Sequence, residues 1–372
     1  MSSSSLPEVP LSEKEATQPT TLTAADDAAP ERVIIDTDPG IDDTMALFLA
    51  LSNPHRLRIE GITIVFGNHS DLELLATNAC RVLHMAGDVE IPIYKGCSNP
   101  VDMDYHGHSG IEVHGQDGIG HLYLPTPPNT HLIRRDKTAV DFIIETCKAN
   151  PGQITLITLG PLTNVAQALI QCPELPQYVK RIVSMGGVLN LPGNKSPVAE
   201  ANYHNDAKGA KLVLNAGFEF TMVPLNVTHQ VHMNKEFRSA LCSLGVIGDF
   251  CENALKYYVG TLSRWGNDPE TIPMHDSSAV MAVVNPSVFT KAVNVYVDIE
   301  SVGERTAGMC VPDWKGHFKR EPQYHKKTKV VLEVDQAAFK RYYLDCLATF
   351  LPKLQHNKEE EAEEEAAPPS SA

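Results

Sequence analysis

The chain has no run approaching roughly 18 uninterrupted apolar residues, the length that a membrane-spanning helix requires, so no such span is expected. It has no block of lysine and arginine either. The formal charge of −15 belongs partly to the ends: residues 1–30 and residues 353–372 each carry a net −4, which leaves about −7 for the body. A mildly acidic body without basic patches argues against a nucleic-acid-binding surface and favours small-molecule chemistry. The eight cysteines, Cys80, Cys97, Cys147, Cys172, Cys242, Cys251, Cys310 and Cys346, include no CxxC pair and lack the density of a small secreted domain. Such spacing fits reduced, mostly buried thiols. The N-terminal MSSSSLPEVPLSEKEATQPT has no apolar segment and no Arg-rich amphipathic pattern, so a cytosolic location, or a cytosolic and nuclear one, is the default expectation.

What the chain does have is apolar material, 42% of its residues, enough for a substantial core in one large domain or two ordinary ones. Residues 1–30, rich in Ser, Thr, Pro, Ala and acids, and residues 355–372, which contain EEEAEEEAAPPSSA, hold too little apolar area to offset the entropy of ordering. Both are expected to be disordered tails. Between them, short β-branched runs alternate with helical periods. Strands are expected at Arg32–Asp36, Ile59–Val65, Ile154–Thr158, Arg181–Met185 and Phe218–Val223, and helices at Asp42–Leu51, Leu72–Met85, Ala139–Ala149, Leu162–Ile170 and Ala207–Asn215. This alternation predicts one α/β domain over about 31–354, a mostly parallel sheet with helices on both faces.

In such a sheet, ligands bind beyond the carboxyl ends of the strands. Four expected strands end in polar or glycine-rich stretches: DTDPGIDD, Gly67-Asn68-His69, Leu159-Gly160-Pro161-Leu162-Thr163-Asn164 and Gly186-Gly187. In the first, Asp36, Asp38, Asp42 and Asp43 fall within eight residues. A helix N-terminus accounts for one or two of these acids. Four together repel one another unless a cation or hydrogen-bond donors hold them. An oxygen-ligated hard divalent cation, Ca²⁺ or Mg²⁺, fits that requirement. The register of an EF-hand does not, since Ile41 stands where its glycine belongs.

Three further clusters have both a plain reading and a chemical one. Asp276, in TIPMHDSSAVMAVV, reads as the N-cap of an apolar helix with His275 exposed beside it, but a His-Asp pair can also supply an acid and a metal ligand. The stretch GNKSPVAEANYHNDA (193–207) is a polar loop whose amides and carboxylates also suit vicinal hydroxyls. In YHGHSGIEVHGQDGIGH (105–121), His106, His108, His114 and His121 lie among glycines without HExxH or paired Cys/His spacing. A lid hinged on glycines is a better reading there than a zinc site.

With these stretches in view, the chain resembles the nucleoside hydrolases of the inosine-uridine-preferring family. The run Val33-Ile34-Ile35-Asp36-Thr37-Asp38-Pro39-Gly40-Ile41-Asp42-Asp43 is similar to the family's DTDPGxDD signature, and Phe66-Gly67-Asn68, His114-Gly115-Gln116-Asp117-Gly118, Leu159-Gly160-Pro161-Leu162-Thr163-Asn164, Met185-Gly186-Gly187, Gly193-Asn194, Glu200-Ala201-Asn202 and His275-Asp276 follow in the family's order. The resemblance covers about residues 31–300. It implies a single Rossmann-like α/β domain, a dimer or tetramer, and a Ca²⁺-dependent N-glycosidase that splits a ribonucleoside into ribose and free base. It further implies that Asp38, Asp43 and Asp276, with the Leu159 carbonyl, hold calcium, and that Asp38 is also the base that deprotonates water. Asp42, Asn194, Glu200 and Asn202 correspond to the clamp on the ribose hydroxyls, with Asn68 and Met185 close by. His114 is similar to a lid histidine near the base, and His275 to the leaving-group acid. Purine-selective members have Trp where His275 stands, so the resemblance leans to the broad or pyrimidine-accepting branch, with uridine, inosine and nicotinamide riboside as candidate substrates.

The family's usual DPxAA appears here as Asp206-Ala207-Lys208-Gly209-Ala210, a departure expected to affect only a helix start. Asp36 has no role in this scheme and is expected to accept hydrogen bonds that fix the loop. Two rival readings remain at this stage. A haloacid-dehalogenase-type phosphatase would use Asp36 and Asp38 as its DxD pair but leaves Asp42 and Asp43 idle, and a non-catalytic nucleoside-binding protein would be expected to lack Asp38 or a metal ligand.

Overall fold

A computed structural model describes residues 29–101, 110–320 and 326–350. The expected tails, apart from residues 29 and 30, lie outside the described residues, as do His106, His108 and the last four residues of the expected domain. The strands are β1 (Glu31–Thr37), β2 (Leu57–Ile64), β3 (Ile93–Lys95), β4 (Ile133–Arg134), β5 (Ile154–Thr158), β6 (Val179–Met185), β7 (Phe220–Val223), β8 (Phe289–Ile299), β9 (Cys310–Asp313) and β10 (Thr328–Val334). They form one sheet in the order β4-β3-β2-β1-β5-β6-β7-β10-β8-β9. All pairings from β4 to β10 are parallel; β8 joins β10 and β9 antiparallel, which makes the sheet mixed. No helix among the described residues is long and apolar enough to cross a membrane.

The central strands are buried on both faces, as continuous apolar runs in a covered parallel sheet should be. Val33 and Ile35 of β1 enter one core cluster and Ile34 the other. Each large side chain buried in this way contributes about 1.5–3 kcal/mol. The expected helices Leu72–Met85 and Ala139–Ala149 match end to end. Elements not expected include the strands β3 and β4, three and two residues long and too short to show a period, the helices Lys235–Cys242, Gly245–Arg264 and Gln336–Ala348, and the antiparallel end formed by β8–β10.

Two features of this fold build the site. The chain leaves β1 through β2, β3 and β4 on one side, then returns to the other side of β1 with β5, β6 and β7. The order therefore reverses between β1 and β5, where a crevice opens at the carboxyl ends. The helix Ile41–Leu51 that follows β1 has nine of its eleven residues buried and packs against the helix Asp276–Val284. Its acidic start is thereby brought to the start of a helix more than two hundred residues later. His275, not Asp276, holds the N-cap position there, and Asp276 lies in the first turn, where the dipole still favours an acid.

Candidate active site

The aspartates that end β1 face different partners. Asp36 is 1% exposed; its Oδ1 accepts from Thr63 Oγ1 (2.6 Å) and Asn164 Nδ2 (2.7 Å), while Oδ2 has no partner. Asn164 also donates to the Ile64 carbonyl and accepts from Cys97 N–H, so Asp36 ties β1 to the ends of β2 and β3. Burial pushes its pKa up to about 7. Asp38, also buried, accepts from Asn68 N–H at Oδ2 (2.7 Å). A Cβ on Gly67 would collide with that Oδ2, and one on Gly160 would lie 2.5 Å from Oδ1. Only glycine lets both loops close on the carboxylate. Asp43 closes the loop as the third residue of its helix: Oδ1 accepts from Thr37 Oγ1 (2.5 Å), and Oδ2 from Gly40 N–H (3.0 Å) and Asn68 Nδ2 (2.8 Å).

Asp42, Asp43 and Asp276 form a triplet in which one oxygen from each lies within 4.8 Å of the others. Asp38 stands outside that triplet, although its charge acts on Asp276. Asp42 Oδ1 is buried without a hydrogen-bond partner. Burial and then mutual repulsion raise Asp38 and Asp276 well above the usual carboxylate range, and Asp42 to about 8. No lysine or arginine among the described residues offsets this; the nearest basic group is His114, with Nδ1 3.8 Å from Asp42 Oδ1. All the side-chain donors are carboxylate oxygens, a set that fits a hard divalent cation better than zinc or copper.

On the β6 side, Glu200 is buried as the N-cap of the helix Ala201–Asn205. Its Oε1 accepts from Asn202 N–H (2.7 Å), and its Oε2 from Gly187 N–H (2.9 Å) and Tyr203 N–H (3.1 Å). Asn202 Nδ2 donates to the carbonyls of Leu159 (2.6 Å) and Met185 (3.3 Å). The charge of Glu200 adds to the burial and to the Asp43 charge that raise Asp42. Asn194 is the exception among the expected residues: it is exposed, with Oδ1 accepting from Ala201 N–H (3.0 Å). Asp206 caps the next helix through Gly209 N–H (2.8 Å) and also accepts from Thr163 Oγ1 (2.6 Å) and Val101 N–H (3.0 Å), so its carboxylate does more than start a helix.

Two buried histidines complete the crevice. His114 accepts Ile41 N–H at Nδ1 (3.0 Å). A backbone N–H can only donate, so Nδ1 is unprotonated and Nε2 carries the proton. Burial lowers the His114 pKa to about 4. The following turn is fixed by Asp117, which accepts from the backbone N–H groups of Ile119, His121 and Tyr123. His275 has Nδ1 2.8 Å from Thr228 Oγ1, and its pKa is lowered to about 3 by burial and then by His229 and His114. Tyr258, buried on the helix Gly245–Arg264, has its ring 5.9 Å from that of His114, and its phenol is pushed upward by burial and then by Asp42, Asp276 and Asp43.

The family model for inosine-uridine preferring nucleoside hydrolases matches residues 33–341. The chain belongs to that family. Among its relatives, the inosine-uridine preferring nucleoside hydrolase of Leishmania major is 36% identical over 321 residues (86% of this chain, 98% of the relative), and the probable uridine nucleosidase 2 of Arabidopsis thaliana is 33% identical over 321 residues (85% and 97%). A plant nucleoside hydrolase structure superposes with a TM-score of 0.78 at 30% identity, covering 86% of this chain and 99% of that one. For this nucleoside hydrolase the sequence reading missed Thr228, Tyr258 and Asp117. No element is expected over Gly245–Arg264, so nothing marks Tyr258, and nothing in LNVTHQV singles out Thr228. Asp117 was legible only as part of a quoted motif.

Proposed function

We propose that this nucleoside hydrolase is a Ca²⁺-dependent ribonucleoside N-glycosidase with broad or pyrimidine-leaning base preference, uridine and inosine among its substrates and nicotinamide riboside a further candidate. The observation that carries the reading is the group of buried carboxylates at the β1–β5 crevice that no lysine or arginine among the described residues neutralises. Asp43 and Asp276, with Asp38 and the Leu159 carbonyl, would hold the ion. Asp42, with its unpartnered Oδ1, is close enough to contribute to the same charge balance. When bound, Ca²⁺ would orient the attacking water and make it more acidic, though less strongly than zinc.

The residues divide the rest of the work by what they touch. Asp38, its carboxylate fixed by Asn68 N–H and walled by Gly67 and Gly160, takes the proton from the water. Asp42, Glu200 and Asn202 face ribose, where their charge and amide groups bind hydroxyls and stabilise positive charge developing at C1′. Asn68 and Met185 support this set through contacts with Asp43 and Asn202, and Asn194 borders it from outside. His275 and His114 face the departing base, with His275 as its acid through the Nε2–H, which donates to the base as negative charge develops there. The preference for pyrimidine or broad substrates rests on His275 standing where purine-selective members have Trp, and on relatives named as uridine nucleosidases.

A reducing-sugar assay over uridine, inosine, cytidine, adenosine, guanosine and nicotinamide riboside, with and without a chelator, tests the reading. Ribose release that a chelator abolishes and Ca²⁺ restores is the expected outcome. Turnover of p-nitrophenyl phosphate without ribose release would overturn it.

A further inference from the structure

The two buried histidines differ in what occupies Nδ1. At His114 it is the backbone N–H of Ile41; at His275 it is the hydroxyl of Thr228, a fully buried residue on the short helix Leu225–Thr228. The Thr228 hydroxyl has no other partner among the described residues. The Pro224 carbonyl one turn back, the usual acceptor for a helical threonine, already accepts the N–H groups of Val227 (3.0 Å) and Thr228 (3.2 Å). A buried hydroxyl proton left without an acceptor loses its hydrogen bond to water with nothing in return, so the hydroxyl donates to Nδ1 when the ring is neutral. Nε2, which has no protein partner among the described residues, is then the protonated nitrogen and the one left for a ligand.

We propose that Thr228 is the positioning residue for His275: it occupies Nδ1, fixes the ring plane, and leaves Nε2–H as the group that meets the departing base. The proposal rests on the functional reading above for the identity of that base. A hydroxyl suits this position because it can donate to Nδ1 or accept from it, so the contact persists whether or not the ring holds a second proton. Valine, of the same shape, can do neither, and serine can do both.

The test compares wild type, Thr228→Val and Thr228→Ser on uridine and on p-nitrophenyl riboside, whose leaving group needs no proton. Thr228→Val should lower kcat on uridine about 30- to 100-fold with KM within about twofold, the size of loss expected of a misplaced proton donor. Thr228→Ser should recover to within about threefold, and all three proteins should cleave p-nitrophenyl riboside within about threefold of one another. Equal loss on both substrates, or no recovery with Ser, would overturn the assignment. Independently of activity, long-range ¹H–¹⁵N spectra of histidine-labelled wild type, with His275 assigned by loss of its signal in His275→Gln, should show the Nε2–H tautomer; the Nδ1–H tautomer would overturn the proposal. Absence of ribose release by wild type would overturn the functional reading instead, and the tautomer would still decide the contact to Thr228.

Discussion

The two sides of the crevice are built in different ways. The sugar side is made where strands stop: Asp38, Asn68, Leu159 and Met185 stand within a few residues of the ends of β1, β2, β5 and β6, Glu200 and Asn202 open the short helix after β6, and backbone N–H groups fix the carboxylates of Asp38 and Glu200. The base side is assembled from afar. His114, Thr228, Tyr258 and His275 come from four helices or helix ends that meet only because the fold packs them together. The sugar side is anchored mainly at the ends of buried strands. The base side depends on helix packing, and its contacts can change without disturbing the strands.

That contrast can be broken in order of severity. Asp38→Ala should cost at least about 10³–10⁴-fold in kcat on every nucleoside, because the base is lost while the sugar contacts stay. Gly160→Ala, which puts a methyl against Asp38 Oδ1, should cost about 100-fold by displacing the same carboxylate. Ribose release measured on uridine and inosine checks both, and a loss confined to one base would contradict a sugar-side role. On the other side, His275→Ala should cost about 10²–10³-fold on uridine but less than about tenfold on p-nitrophenyl riboside. Parallel losses on the two substrates would remove His275 from the acid role.

The smallest effect is on stability. Asp36 holds its proton more tightly in the folded protein, at about pH 7, than in an unfolded chain, at about pH 4. Its contribution to stability is therefore fully present below about pH 4 and is lost as the pH rises through about 7. Asp36→Asn keeps an acceptor for Thr63 and Asn164 but cannot ionise. The Tm of the variant relative to wild type should rise between pH 4 and pH 8, and a constant difference across that range would count against the buried charge.

The same contrast explains what could be read from the sequence. The strand ends were legible because each apolar run stops in a glycine or polar stretch, and the parallel order of the strands places those stretches on one rim. Asp36 is expected to accept hydrogen bonds that fix the loop; it accepts them from Thr63 and Asn164, which tie β1 to neighbouring strand ends, while the loop itself is closed by Asp43. Asn194 reads as one more polar clamp residue, but solvent and the Ala201 N–H cap claim its side chain. Asp38, expected beside Asp43 and Asp276, lies outside their triplet, with its carboxylate against Asn68 N–H and the two glycines. Thr228 and Tyr258 were illegible because their meaning lies in packing partners 47 and 144 residues away along the chain, His275 and His114.

The two glycines around Asp38 have one more consequence. They act as a ruler for side-chain length: a Cβ on Gly67 or Gly160 would lie 2.1 or 2.5 Å from an aspartate oxygen, so the extra methylene of a glutamate would push its head group toward these backbones. The position therefore discriminates between two acids of nearly the same basicity, and it does so by length alone.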